Sequence, residues 1–173
     1  MPSSTIIDLD RLSLAYGEGT RLDLAVKVGA LELGGQSYAL DPDPVAVRLD
    51  VSRPSRGYAL RMRFAIAVEG PCMRCLEPAR VGAEIDAREI DQHDTDDEEL
   101  RSPYVGDSGE LDLGRWAHNA AILALPTRIQ CRADCAGLCP VCGQSLNDDA
   151  PGGHDHGTGP DPRWAKLREL KLE

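Results

Sequence analysis

The chain has 173 residues, 42% of them hydrophobic, enough for one domain or one domain with a small appended module. It contains no run of about eighteen apolar residues, which excludes a transmembrane helix. Nineteen Lys and Arg against 29 Asp and Glu give a net charge of −10, so binding to nucleic acid through net charge alone is excluded, although a local basic face is not.

Asp8 and Asp10 interrupt the apolar residues of the N-terminus, and no basic segment precedes them. No signal peptide is predicted, and the expected location is the cytoplasm. All the cations except Lys27, Lys166 and Lys171 are arginines, which suit two-point phosphate contacts but also fit a compositional bias of the genome.

Residues 1–90 read as a β-rich unit. Leu22, Leu24, Val26 and Val28 alternate with polar or small residues, the period of a strand with one buried face. Gly34 and Gly35 break the chain, and Pro42 and Pro44 mark a second loop. Val45, Val47, Leu49 and Val51 predict another strand, and the clearest alternation is Leu60, Met62, Phe64, Ile66 and Val68. That strand runs into Cys72 and Cys75; Val81, Ala83 and Ile85 suggest a strand leaving them, so the pair is expected at a hairpin tip. Residues 91–110 form an acidic loop: Asp91 to Glu99 carries six acids in nine residues and predicts a solvated, mobile segment.

Residues 111–173 are expected to hold a helix, a metal-binding segment and a second helix, co-folded with the rest. Asp112 is a good N-cap, and Leu113, Trp116, Ala117, Ala120, Leu123 and Ala124 recur at helical spacing up to Pro126. Trp116 reads as core, and His118 lies off the stripe without an evident role. Asp161 and Pro162 open a short terminal helix with Trp164, Leu167 and Leu170 on one face. The fold class predicted is therefore α+β, with an antiparallel β-rich N-terminal part, one mid-chain helix, a zinc-knuckle segment and a short terminal helix.

The six cysteines fall as Cys72 and Cys75, Cys131 and Cys135, and Cys139 and Cys142. A cytosolic chain keeps thiols reduced, so pairs at these spacings predict metal ligation rather than disulfides. Cys139 and Cys142, with Gly143 just beyond, read as a zinc knuckle, half of a four-ligand site. Twelve residues further on, His154 and His156 offer the other half, two thiolates and two imidazoles around one ion. Cys72, Cys75, Cys131 and Cys135 would form a second, all-thiolate site, with Arg74 and Arg132 placed to offset its charge. A grouping of Cys131 or Cys135 with the knuckle is the competing arrangement. One or two zinc ions are expected. Both sets are closed at four ligands, whereas catalytic zinc keeps an open position, so the expected role is structural and the chain is not expected to be an enzyme.

Cys72-Met-Arg-Cys75-Leu-Glu-Pro, Leu123-Ala-Leu-Pro126, the run from Cys131 through Cys135, Cys139 and Cys142 to Asn147, and Asp161-Pro-Arg-Trp164 follow one another in an order that resembles the YceD family. The resemblance spans roughly residues 60–173 and implies a role in accumulation of 23S ribosomal RNA; no enzymatic activity is established for the family. It departs at His154 and His156, where relatives with the knuckle usually carry a Cys-x-Cys pair.

Two functional readings follow. In the first, a non-enzymatic ribosome-biogenesis factor touches ribosomal RNA, and Arg53, Arg56, Arg61 and Arg63, in a stretch from Val51 to Val68 without acids, are the candidate RNA contacts. In the second, an acidic companion binds a basic large-subunit ribosomal protein without touching RNA, and the Asp91 to Glu99 run is the natural contact. A zinc-dependent hydrolase or nuclease is a remote third. No membrane or small-molecule partner is expected.

Overall fold

The computed structural model describes residues 5–92, 95, 97–147, 154 and 156. The terminal helix expected from Asp161 lies outside them, as do His93, Asp94 and Asp96 of the acidic run.

Among the described residues, eight strands and one α-helix follow in chain order: β1 (Ile6–Asp8), β2 (Gly19–Val26), β3 (Leu31–Leu33), β4 (Gln36–Asp41), β5 (Val45–Ser52), β6 (Tyr58–Pro71), β7 (Pro78–Asp91), β8 (Glu110–Asp112) and α1 (Leu113–Ala124). All strand pairs are antiparallel. The expected α+β class is the one observed.

The frame is the β6–β7 hairpin, paired over fourteen residues from Tyr58↔Asp91 to Pro71↔Pro78. The other edge of β6 is shared. Its first half pairs with β5, which carries β2 on its far side, and its second half pairs with β4 and, beyond it, β3. Alternation dictates the two faces. Leu60, Met62, Phe64, Ile66 and Val68 are buried on one side of β6, while Arg61, Arg63 and Ala65 lie on the other. Gly34 and Gly35, expected only to break the chain, form the two-residue turn of the β3–β4 hairpin, with φ of 60° and 78°. Two successive left-handed residues are what such a turn needs to match strand twist, and glycine adopts them without a side-chain clash.

Helix α1 starts where Asp112 caps it, its side chain accepting from the Arg115 N–H at 2.9 Å. It lays Leu113, Trp116, Ala117, Ala120 and Ala121 onto the inner face of the sheet, and Trp116 stacks with Tyr104 at 6.1 Å. His118 binds the fold together, its Nδ1–H donating to the Val28 carbonyl at 3.1 Å. Four strands, β1, β3, β4 and β8, have no counterpart in the sequence reading. β1 and β8 pair through Ile6↔Asp112 and Asp8↔Glu110, closing the base of the helix. Asp91, counted above in a solvated run, is instead buried at the end of β7, where its Oδ1 accepts the Ser102 N–H at 3.1 Å. Downstream, Asp97 caps a 3-10 turn, Glu98–Leu100.

Candidate metal centres

Cys72 and Cys75 sit in the turn between β6 and β7, as expected. The segment after α1 returns to this tip, where the Met73 N–H donates to the Ile129 carbonyl at 2.8 Å and Ile129 is fully buried. Cys131 and Cys135 are thereby brought opposite the first pair. The Sγ of Cys72 lies 3.8 Å from that of Cys135, and the Sγ of Cys75 lies 3.5 Å from that of Cys131. Zinc–sulfur bonds of about 2.3 Å in a tetrahedron place sulfurs about 3.8 Å apart, so the donor set fits one zinc-sized ion. The grouping of Cys131 or Cys135 with the knuckle is not the one adopted.

Cys139, Cys142, His154 and His156 form the second set, all donor atoms within 4.8 Å of one another, as in the first. Cys142 Sγ is 3.2 Å from His154 Nε2, and the two imidazole Nε2 atoms are 2.8 Å apart. A tetrahedral ion with bonds of about 2.0–2.1 Å to each nitrogen would spread the imidazoles by roughly half an ångström.

The two CxxC turns have the same backbone. In the first, the Arg74 N–H donates to Cys72 Sγ at 3.4 Å, the Leu76 N–H to the Cys72 carbonyl at 3.0 Å, and the Cys72 N–H to the Glu77 carbonyl at 2.7 Å. In the second, the Val141 N–H donates to Cys139 Sγ at 3.4 Å, the Gly143 N–H to the Cys139 carbonyl at 2.9 Å, and the Cys139 N–H to the Gln144 carbonyl at 2.8 Å. The fourth residue after the first cysteine is left-handed in both, Leu76 at φ 64° and Gly143 at φ 75°. Glycine meets that demand freely; leucine meets it at a cost of about 1–2 kcal/mol.

These N–H groups prepare the sulfurs for a cation. Burial opposes ionisation of Cys72, but the backbone N–H groups of Cys75, Arg74 and Cys131 outweigh it and bring the thiol down to about 6. The Cys142 N–H, with that of Val141, brings Cys139 down to about 6 despite its burial. Burial, then the adjoining cysteines, push Cys131 up to about 12, and burial also raises Cys75. Cys72 and Cys139 are thus prepared to bind as thiolates, and in the first set a positive ion would displace the protons of Cys75 and Cys131.

Arg74 and Arg132 do not turn their guanidinium groups toward sulfur. Arg74 donates to the Ala136 carbonyl at 3.2 Å, and its own carbonyl accepts the Leu138 N–H, also at 3.2 Å, which seats the second turn against the first. Arg132 donates to the Asn147 carbonyl at 3.0 Å and pairs with Asp134.

The four candidate RNA-contacting arginines separate into two kinds. Arg61 and Arg63 face outward from the sheet as expected, yet each is paired. Arg61 grips Asp86 through two bonds of 2.8 and 2.5 Å, and Arg63 lies 2.5 Å from Asp50, which Arg21 also holds at 2.6 Å. The expected basic strip is a charge-balanced lattice, because neighbouring strands place acids beside these arginines. Arg53 and Arg56 occupy the loop at the other end, between β5 and β6.

Together the fold and these sets define a β-sheet protein with two cysteine-based groups that can hold metal ions. The chain belongs to the YceD family: the family model described as "Large ribosomal RNA subunit accumulation protein YceD" matches residues 60–171, the part that carries every cysteine. Membership points to a ribosome-related role. Uncharacterized proteins of Mycobacterium tuberculosis (strain H37Rv) and Mycobacterium bovis are each 32% identical over 173 residues, covering 97% of this chain and 82% of theirs. One of Mycobacterium leprae is 29% identical over 133 residues, covering 73% of this chain and 59% of its own. No solved structure gives a significant match. Among the described residues, no helix is long and apolar enough to cross a membrane.

Proposed function

We propose that this chain is a non-enzymatic, cytoplasmic ribosome-assembly factor that supports accumulation of 23S ribosomal RNA, with both donor sets serving as structural zinc sites. The observation that carries the reading is the use of all six cysteines in two four-donor sets, inside the region matched by the family model. Thiolate-rich tetrahedral sets favour zinc, and four protein donors leave no position for substrate or water. A zinc-dependent hydrolase or nuclease would need such an open position. The direct contact under this reading is ribosomal RNA.

A second reading, an acidic companion of a basic large-subunit protein, is favoured by one observation. Arg61 and Arg63, the candidate RNA contacts of the sheet face, are each engaged by an acid, Asp86 and Asp50, so they do not form an open basic strip against the net charge of −10.

Two measurements test the proposal. Metal analysis of untagged protein purified without chelator should find two zincs per chain, falling to one in a His154→Ala/His156→Ala variant. Depletion of the chain should lower mature 23S RNA relative to 16S RNA, with rescue by the wild type and not by Cys72→Ser. Unchanged 23S RNA overturns the assembly role, and metal-free protein with six free thiols overturns the structural sites.

A further inference from the structure

The loop between β5 and β6 carries a constellation that the metal centres do not explain. The Arg53 guanidinium is stacked between two tyrosines, 5.4 Å from the ring centre of Tyr16 and 5.7 Å from that of Tyr58. Its Nη1 also donates to the Leu14 carbonyl at 3.0 Å. The Gly17 N–H donates to the Arg53 carbonyl at 2.8 Å, and the Arg53 N–H to the Glu18 carbonyl at 2.9 Å, which fastens the turn bearing Tyr16 to this loop. Tyr58 is buried, its hydroxyl donating to Asp10 Oδ1 at 2.8 Å. Tyr16 remains 74% exposed. Arg56 is exposed and has neither an ion pair nor a side-chain hydrogen bond among the described residues. A cavity of about 170 Å³ opens between them, lined by Asp10, Tyr16, Arg53, Arg56, Tyr58 and Gln92, with Ser55 and Gly57.

An exposed aromatic ring is ordinarily mobile; this one is backed by a cation that is itself fixed from beneath. That arrangement leaves one flat π-face toward solvent with its orientation already set, beside a cation that has no side-chain partner among the described residues. A nucleotide offers the complement to both, a planar base and an anionic phosphate. An acidic peptide would use the cation and leave the ring unused.

We propose that Tyr16, Arg53 and Arg56 form a contact for single-stranded RNA, in which an unstacked base lies on the outer face of Tyr16 and the adjoining phosphate on Arg56. Arg53 is a positioning residue, holding the ring from behind. Asp10 is the one acid among the described residues lining the cavity, and its carboxylate can accept a hydrogen bond from an amino group of the base while repelling a second phosphate, so the site takes one nucleotide rather than a length of backbone. The inference deepens the assembly-factor reading, on which it rests for the choice of RNA as partner, and it moves the contact from the paired Arg61 and Arg63 to the loop.

The test is fluorescence anisotropy of the metal-loaded full chain with a short, labelled, mixed-sequence single-stranded RNA. Tyr16→Leu should weaken binding about tenfold, since it keeps apolar bulk but not the stacking face, and Tyr16→Trp should restore it. Arg56→Glu should weaken binding about as much and lower the slope of log K on log salt by about 0.7, the loss of one phosphate contact. Arg61→Glu should leave affinity within about twofold, a limit that any diffuse effect of net charge would exceed. Because Arg56 is exposed and has no side-chain partner among the described residues, its substitution leaves the fold intact and keeps the test informative if Tyr16 variants fold poorly. Wild-type binding by Tyr16→Leu or Arg56→Glu overturns the site; if depletion of the chain still lowers 23S RNA, the assembly role stands without it. Absence of RNA binding by the wild type, or binding of an acidic peptide with the same dependence on Arg56 alone, also overturns the proposal. Unchanged 23S RNA on depletion overturns the assembly role separately.

Discussion

At the hairpin tip, Cys72 and Cys135 are 0% and 1% exposed and belong to the hydrophobic core, whereas in the second set Cys142 and His156 lie open to solvent. Their backbones at the CxxC turn are the same, so the local sequence makes the knuckle and the surroundings make the difference. The first set joins residues as far apart as Cys72 and Cys135, across the β6–β7 tip and everything through α1. A metal ion held there would restrict a long stretch of unfolded chain, and its binding energy would become energy of the global fold. The second set joins Cys139 and Cys142 to His154 and His156, close to them in sequence. A metal ion held there would constrain residues near one another in sequence, and its loss would be a local event rather than global unfolding.

The largest predicted effect breaks the first set. Cys135→Ser leaves three sulfurs around a buried site and should forfeit much of the roughly 10–16 kcal/mol that structural zinc couples to folding, enough to abolish a cooperative thermal transition. Circular dichroism melts with and without added zinc check this. Equal melts for Cys135→Ser and the wild type would erase the distinction between the sites. The His154→Ala/His156→Ala variant is the counterpart. It should lose one metal equivalent yet unfold cooperatively, within about 1–2 kcal/mol of the wild type, because the sheet and α1 do not depend on that loop. Timed release to a chelator should then be biphasic in the wild type, with the fast phase missing in the histidine variant.

Sequence patterning revealed those parts whose partners are periodic or adjacent. The alternation from Leu60 to Val68 marks the inner face of β6 because each side chain reports its own burial. Asp112 and Pro126 bracket α1 because capping and chain-breaking are local acts. The cysteine sets were legible down to the grouping of Cys131 and Cys135 with Cys72 and Cys75, but a competing grouping with the knuckle stayed open, since the choice depends on how the segment after α1 docks at Ile129. The pairing of Arg61 and Arg63 was hidden for a similar reason. Asp50 and Asp86 become their neighbours only through the registers Asp50↔Arg61 and Arg63↔Asp86, and a stretch read alone shows four cations without acids. β1 and β8 are three residues each, too short for a period to show, and their pairing spans a hundred positions.

The two knuckles also invite a comparison at a single backbone position. Gly143→Ala places a side chain at φ 75°, where nothing lies within 4 Å of the new Cβ, so the cost is conformational alone, about 1 kcal/mol. Leu76→Gly removes a side chain from the equivalent angle of the first turn. Relief of strain there is largely cancelled by the freedom glycine gains in the unfolded chain, so stability should change by less than about 1 kcal/mol. Denaturant midpoints of the two metal-loaded variants check the pair. A large loss from Leu76→Gly would mean that the 61% exposed leucine makes a contact the backbone argument omits.

The smallest effect lies at the far end of the sheet, away from both metal sets, and sharpens the contrast by being independent of metal. Arg21, with Arg63, holds the Asp50 carboxyl below the usual carboxylate range by hydrogen bonding, against a smaller opposing effect of burial. A carboxyl whose folded pKa is depressed stabilises the protein above its unfolded value of about 3.9 and loses that contribution as pH falls through the folded value. Asp50→Asn should therefore lower stability by about 1 kcal/mol or less at neutral pH, because the Asp50 side chain is still 27% exposed and its pairs are partly screened. The difference between variant and wild type should shrink as pH drops below 4. Protons also strip metal from thiolates, so the comparison belongs in a titration where zinc occupancy is followed in parallel. If the Asp50 effect vanished together with bound zinc at a pH well above 4, the ion-pair lattice would be subordinate to the metal-pinned tip. If it persists until the carboxyl itself protonates, the two ends of the sheet are stabilised separately.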